Sequence, residues 1–210
     1  MNSYGIRGKV LNWFTSYLQG RQQRVIVKKS SSSLCNVSAG VPQGSVLGPL
    51  LFTIYINDIA DKLISLCRLF ADDTSFSYSS HEESQIKTVI DHDLSQLNEW
   101  SKTWLMSFNP NKTEIMLFSN TIIPVLEFTL NGNTIPIVST HKHLGVTFSS
   151  DAKWNSHIEN VLSSATKHIY VLRKLKFSLS RSNLEKLYLV YNRPIFEYAS
   201  EVWDNYGEFY

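Results

Sequence analysis

The sequence predicts an α+β fold in which an antiparallel sheet packs on helices and is followed by a purely helical region. Three observations carry that expectation. Strand-like residues flank Asp72-Asp73 between Leu66 and Tyr78, as in a hairpin; Ile86, Val89, Ile90, Leu94, Leu97, Trp100 and Trp104 trace one helical stripe; and past Asp151 the pattern turns helical and basic.

In chain order, Val10, Leu11, Phe14, Tyr17 and Leu18 recur at helical spacing, and Gly20 supplies a stop, so a helix is expected over 9–18. Short strands are expected at 25–27 and 34–37, around a polar loop from Lys28 to Ser33. The stretch AGVPQGSVLGPLLFTIYIND, Ala39 to Asp58, runs from a glycine- and proline-rich loop into an apolar segment. With Gly48 at the cap and Pro49 first inside, a helix starts well there, because proline's missing N–H is unneeded at that position. Leu50, Leu51, Phe52, Ile54, Tyr55 and Ile56 cover every face, which predicts burial on most sides.

Ser80 to Glu83 has the Ser-x-x-Glu form of a capping box and opens the long amphipathic helix. A turn at Asn109-Pro110-Asn111 leads to strand-like runs at 115–118 and 126–130, and Asn131-Gly132 is a strong hairpin signal before a strand at 135–138. From Trp154, a helical face is drawn by Ile158, Val161, Leu162, Ala165, Ile169, Leu172 and Leu175; Ser182 to Glu185 reads as a second capping box. Between Lys153 and Arg193 stand eight Lys or Arg against two acids, Glu159 and Glu185, so the basic charge is local.

Composition bounds the function classes. A chain of 210 residues with 43% hydrophobic residues can bury a core, while a net charge of +2 is too mild to argue for a polyanionic partner by itself. Cys35 and Cys67 lack metal-ligand spacing, which speaks against a zinc ribbon or disulfide framework. No charged-then-apolar leader is visible, and the longest apolar run, near Leu50 to Ile56, is too short to cross a bilayer.

Asp72 and Asp73 are the pair that asks for an explanation. Adjacent like charges repel unless water or a cation relieves them, so the pair is either a solvated turn or a metal mount. Taken alone, the turn is the default.

The context shifts that balance. The stretch from Ala39 to Asp58 followed by LFADDT resembles the palm of reverse transcriptases, most closely those of non-LTR retrotransposons. The likeness continues through LNEWSKTWLMSFNPNKTEIMLFS (Leu97 to Ser119) and HKHLGVTFSSDAKWNSHI (His141 to Ile158) into the basic helices, so it covers essentially the whole chain. It implies a partial reverse transcriptase palm over 1–150 and a thumb-like basic region over 151–210. The implied reaction is RNA-templated addition of deoxynucleotides to a DNA primer by two-metal nucleotidyl transfer.

The resemblance further implies roles for single residues. Asp72 matches the metal-binding aspartate and Asp73 its neighbour, with Mg²⁺ or Mn²⁺ as cofactor. Pro42, Gln43 and Gly44 match the loop against template and nucleotide, and a missing Cβ at Gly44 suits close backbone approach. Lys112 matches the lysine beside the triphosphate, where a cation can protonate or stabilise leaving pyrophosphate; a plain surface lysine is the equal alternative. His143, Leu144 and Gly145 match the hairpin that grips the primer. His141 and His143 alternate on a strand, a spacing more often exposed than metal-binding, and Trp100, Trp104 and Trp154 suit core packing better than base stacking.

A third metal-binding aspartate of the family lies upstream of the matching helix, in a strand this chain does not carry: its first acidic residue is Asp58. The fingers have no counterpart either. The expectation is a family member truncated at its N-terminus and inactive alone, nuclear if it serves as a retroelement product. A non-catalytic nucleic-acid-binding remnant, or a fragment that folds poorly because its sheet lacks a strand, are the alternatives.

Overall fold

A computed structural model of the chain describes residues 4–119 and 126–204. These form two compact units, one comprising Met1–Pro110 with Leu126–Thr134, the other Asn111–Val125 with Ile135–Tyr210. Mixed helices and small antiparallel strand pairs make up both.

The first unit opens with α1 (Gly8–Leu18), closed by Gln19 and then Gly20 at φ +65°. Four two-residue strands follow, β1 (Gln22–Gln23), β2 (Ile26–Val27), β3 (Ser30–Ser31) and β4 (Cys35–Asn36), nested so that β2 pairs β3 inside β1 with β4. The expected loop at 28–33 is therefore shorter. Lys28, at φ +55°, turns the chain so early that Ser30 and Ser31 already pair with Val27 and Ile26.

Helix α2 (Gly48–Ile56) begins one residue earlier than expected, with Leu47 as N-cap. Its burial is one-sided rather than general. Leu51 and Ile56 are buried, along with Ile59 beyond its end, while Leu50 is 55% exposed. A nine-residue helix meets its neighbours along one face, where the Tyr55 ring lies edge-on to Trp104 and Trp100 Nε1 donates to Asp58 Oδ1 at 2.8 Å.

Strands β5 (Leu66–Phe70) and β6 (Asp73–Ser77) form the expected hairpin. It is not part of a buried sheet, however. Leu66 and Phe70 are 56% and 62% exposed, and among the described residues the sheets are five separate two-stranded pairs. Helix α3 (Glu83–Thr103) carries the predicted stripe, with Leu94 and Leu97 buried against the unit's core. Its start is not a capping box. Ser80 lies ahead of the N-cap Glu82, accepting the Glu82 N–H at 3.1 Å and donating to Gln85 Oε1 at 2.8 Å. Strand β7 (Phe128–Leu130) packs on α3 with Phe128 and Leu130 buried, and pairs with β8 (Asn133–Ile135) through Asn131 and Gly132, both at positive φ as a type I′ turn requires.

In the second unit, the expected strand at 115–118 is reduced to a bridge between Ile115 and Ile137. Strands β9 (Thr140–His143) and β10 (Val146–Ser149) pair as a hairpin. Helix α4 (Asn155–Leu175) turns a slightly different face inward than its apolar pattern suggests. His157 and Ala165 are buried, whereas Ile158 and Leu162 are 40% and 53% exposed. Helix α5 (Arg181–Leu187) is capped by Ser180, whose Oγ accepts the Asn183 N–H at 3.4 Å; Glu185, expected in a capping box with Ser182, instead pairs with Arg181 at 2.9 Å. A π-helical turn (Tyr188–Asn192), α6 (Arg193–Glu197) and α7 (Ser200–Trp203) complete it. No helix among the described residues is long and apolar enough to cross a membrane.

One buried acid organises the first unit. Asp93, 2% exposed on α3, accepts the Ile64 N–H on Oδ1 and the Ser65 N–H on Oδ2, each at 2.9 Å, with His92 Nδ1 at 3.0 Å. Burial alone would raise its pKa; hydrogen bonds from Ser65, the Ile64 N–H and His92 outweigh it and hold the carboxyl below the usual aspartate range. A carboxyl depressed in the folded state stabilises above its unfolded pKa, and that contribution is lost as pH falls through the folded value. Asp93→Ala strands the buried Ser65 N–H and the part-buried Ile64 N–H and is expected to cost about 2–3 kcal/mol, read as a lower urea midpoint at pH 7. The difference from the parent should shrink as pH is lowered below about 4.

Candidate functional site

In the first unit, the β5–β6 register pairs Phe70 with Asp73, which leaves Ala71 and Asp72 as a two-residue turn. Such a tight turn matches strand twist when its first residue is left-handed. Ala71 adopts φ +51°, a conformation that costs an L-residue about 1–2 kcal/mol. Asp72 lies in the turn and Asp73 opens β6; both are exposed, and among the described residues no ion pair or side-chain hydrogen bond engages either carboxylate. The hairpin's base is held by Asp93, which accepts the Ile64 and Ser65 N–H groups directly before Leu66 begins β5.

Pro42, Gln43 and Gly44 lie in the loop before α2. Ser45 Oγ locks it, donating to the Pro42 carbonyl at 2.8 Å and accepting the Gly48 N–H at 2.9 Å. The two glycines differ in what they require. Gly44 stands at φ +73° with nothing within 4 Å of where a Cβ would be; a Cβ on Gly48 would meet the Pro42 oxygen at 2.7 Å. Backbone conformation therefore demands the first glycine, and close packing the second.

In the second unit, Lys112 is exposed and closes a 3₁₀ turn, Pro110–Lys112. Two residues on, Glu114 Oε2 lies 2.6 Å from His141 Nδ1, and Ile115 bonds the backbone of Pro136 and Val138 at 3.0 and 2.8 Å. The segment after Lys112 is thereby tied to the strand that carries His143. The His141 and His143 rings stack at 6.2 Å. Leu144 and Gly145, at φ +46° and +87°, form the turn of the β9–β10 hairpin. Tyr198 Oη donates to the Leu144 carbonyl at 2.7 Å.

Three side chains that shape these elements escape a reading based on apolar periodicity and motif. Asp93 interrupts an apolar stripe at i+3 from Ile90, a signal that marks it once noticed. His157 is 4% exposed, with Nδ1 accepting the Thr147 N–H of β10 at 3.2 Å; burial, with the charge of Lys142 added, pushes its pKa down and favours the neutral form. Tyr198 carries no comparable signal. Trp100 and Trp154 pack, the first bonded to Asp58 and the second against Phe148 at 5.5 Å, whereas Trp104, just past the end of α3, stays 38% exposed with the Tyr55 ring at its edge. Of the eight clustered cations, Arg181 and Arg193 pair with Glu185 and Glu197 four residues on. Lys174 and Lys176 lie over the Tyr170 and Phe177 rings at 5.3 and 4.7 Å.

Among the described residues, no group of three or more His, Cys, Asp or Glu is arranged to hold a metal ion. Two free carboxylates nonetheless fit magnesium's habits. It takes one or two hard oxygen ligands from protein and leaves its other positions to water and substrate.

Comparison with known proteins adds an independent line. The profile of the family described as "Reverse transcriptase (RNA-dependent DNA polymerase)" matches residues 1–148. The chain is similar to "Probable RNA-directed DNA polymerase from transposon X-element" of Drosophila melanogaster, 30% identical over 90% of the chain and 22% of the relative. It is equally similar to the corresponding protein from transposon BS of the same fly, at 31%, 90% and 22%. A third relative is "RNA-directed DNA polymerase from mobile element jockey" of Drosophila funebris, at 28%, 90% and 22%. The chain spans about a fifth of the length of these relatives. No solved structure matches it significantly.

The glycine geometry makes a prediction. Gly48→Ala is expected to cost about 1–3 kcal/mol through overpacking, because the clashing atom is backbone, and to loosen the Pro42–Ser45 loop. A thermal melt, with hydrogen exchange of peptides covering 42–48, reads both.

Proposed function

The chain belongs to the reverse transcriptase family, and from that membership we propose that it forms part of the palm and thumb of a retrotransposon polymerase that copies RNA into DNA. The proposed domains are a partial palm over 1–150 and a thumb-like region over 151–210. The observation that carries the reading is the β5–β6 tip, where two uncompensated carboxylates stand on a turn anchored from below.

In this reading Asp72 and Asp73 hold the divalent cation, Mg²⁺ or Mn²⁺. When bound, such an ion neutralises phosphate oxygens and lowers the pKa of an attacking primer hydroxyl. The hydroxyl gives up its proton to solvent as its oxygen attacks the α-phosphorus of a deoxynucleoside triphosphate; the new P–O bond forms, the bond from the α-phosphorus to the bridging oxygen breaks, and pyrophosphate leaves. Lys112 contributes Nζ–H donors to that leaving group, either stabilising its charge or returning a proton. Pro42, Gln43 and Gly44 present backbone to the template and incoming nucleotide, and the His143–Gly145 turn holds the primer end. The basic helices after Lys153 follow the phosphates of the RNA–DNA duplex, where neutralising each contact releases counterions.

We propose too that the 210-residue chain is inactive by itself. Two adjacent carboxylates on one turn cannot clamp two cations against both the attacking and the leaving oxygen, a task that needs carboxylates from separate strands. Asp58, just beyond α2, accepts from Trp100 Nε1 and is not free to join them.

The test combines binding and chemistry on the chain. It is expected to bind an RNA–DNA hybrid with an affinity that falls steeply as salt rises, and to extend the primer not at all in Mg²⁺. Clear incorporation would overturn the proposed inactivity; salt-independent binding, or none, would overturn the nucleic-acid role.

A further inference from the structure

The β9–β10 hairpin is held at two points from the C-terminal helices. At its tip, Tyr198 Oη donates to the Leu144 carbonyl at 2.7 Å, and the Tyr198 ring lies where a side chain on Gly145 would be, its Cε1 2.9 Å from an added Cβ. Along its second strand, His157 of α4 accepts the Thr147 N–H, and Asn160 Nδ2 donates to Thr147 Oγ1 at 3.2 Å. One residue joins the two attachments. Trp203 Nε1 donates to the Tyr198 carbonyl at 3.0 Å while its ring meets the His157 ring edge-on at 5.3 Å.

Several features show that Tyr198 is placed rather than merely present. It ends α6 in an extended conformation, and Ala199 follows at φ +52°, left-handed although it carries a Cβ. A residue keeps such a conformation when its surroundings over-determine it. Leu144 is in the same position at φ +46°. Its carbonyl, at a solvent-exposed turn, accepts from a side chain 54 residues away. The turn's shape depends on that donor as well as on its own sequence.

We propose that Tyr198, held by Trp203, is a positioning residue for the Leu144–Gly145 turn, and through it for the primer terminus; the second half rests on the reading of that turn given above. The ring occupies the space above Gly145, and the hydroxyl fixes the peptide plane of Leu144. The hairpin presents its tip in one geometry instead of several.

Tyr198→Phe removes the hydroxyl and keeps the ring; Trp203→Phe removes the indole donor and keeps an aromatic partner for His157. In the 210-residue chain, each is expected to accelerate amide exchange of peptides covering 144–147 by roughly three- to tenfold, the effect of one lost hydrogen bond. Exchange at the Asn131-Gly132 turn, a hairpin of the same type, should not change. Tyr198→Phe is also expected to weaken binding of an RNA–DNA hybrid with a recessed primer 3′ end by a similar factor, and to leave binding of the same hybrid without a primer end unaltered. Unchanged exchange at 144–147 overturns the proposal. Faster exchange with equal weakening on both hybrids overturns its primer-end half. Failure of the unsubstituted chain to bind either hybrid counts against the family-based reading, and the exchange result still decides the positioning role.

Discussion

The carboxylate of Asp93 is the constraint on which the first unit's functional geometry depends. Its two oxygens take the N–H groups of Ile64 and Ser65, immediately before β5, and so decide where the strand starts. The register follows from there. With Leu66 paired to Ser77, Phe70 must face Asp73, and Ala71-Asp72 must form the turn. A buried ionised group is tolerable when its lone pairs are taken by well-placed donors, and hydrogen bonds to charge are about twice as strong as neutral ones. The acid that holds the hairpin is thus as important to the candidate site as the acids displayed on it.

That dependence is sharper because the hairpin has little else to lean on. Leu66, Leu69 and Phe70 are all more than a third exposed, and β5 and β6 pair with each other alone among the described residues. A lone two-stranded hairpin is marginal in water, so its order has to come from its base. The β9–β10 hairpin solves the same problem differently, with buried Val146 and Thr147, a histidine bond along one strand and a tyrosine at the tip. Both turns place a Cβ-bearing residue, Ala71 or Leu144, in left-handed conformation, the kind of local cost that clusters where chains do chemistry.

How much of this was legible in the sequence varies with the kind of interaction. Asn131-Gly132 announced its turn because only residues tolerant of positive φ fit there, and the α3 stripe announced its helix because period and length agreed. Both serine capping boxes were misplaced. The Ser-x-x-Glu pattern fits at Ser80 and Ser182, but Glu82 and Ser180 stand at the N-caps: Ser80 Oγ takes the Glu82 N–H from outside the helix, and Glu185 is drawn into an i,i+4 ion pair with Arg181. The all-apolar α2 suggested enclosure, yet hydrophobicity states what a helix would gain by burial, not which neighbours arrive. Asp93 and His157 were hidden because their value lies in partners 28 and 10 residues away. Asp72, Asp73 and the Pro42–Gly44 loop were picked out by motif, and their geometry adds the reason for each glycine.

We propose above all that Asp72 and Asp73 are a cation mount and not a solvated turn. The most direct measurement is paramagnetic broadening of backbone amide signals by Mn²⁺ titrated into the 210-residue chain, with Mg²⁺ as competitor. The account predicts broadening centred on Ala71 to Thr74, reversed by Mg²⁺ and abolished by Asp72→Asn. Broadening centred on other acids and indifferent to that substitution, or none near this turn, would contradict it.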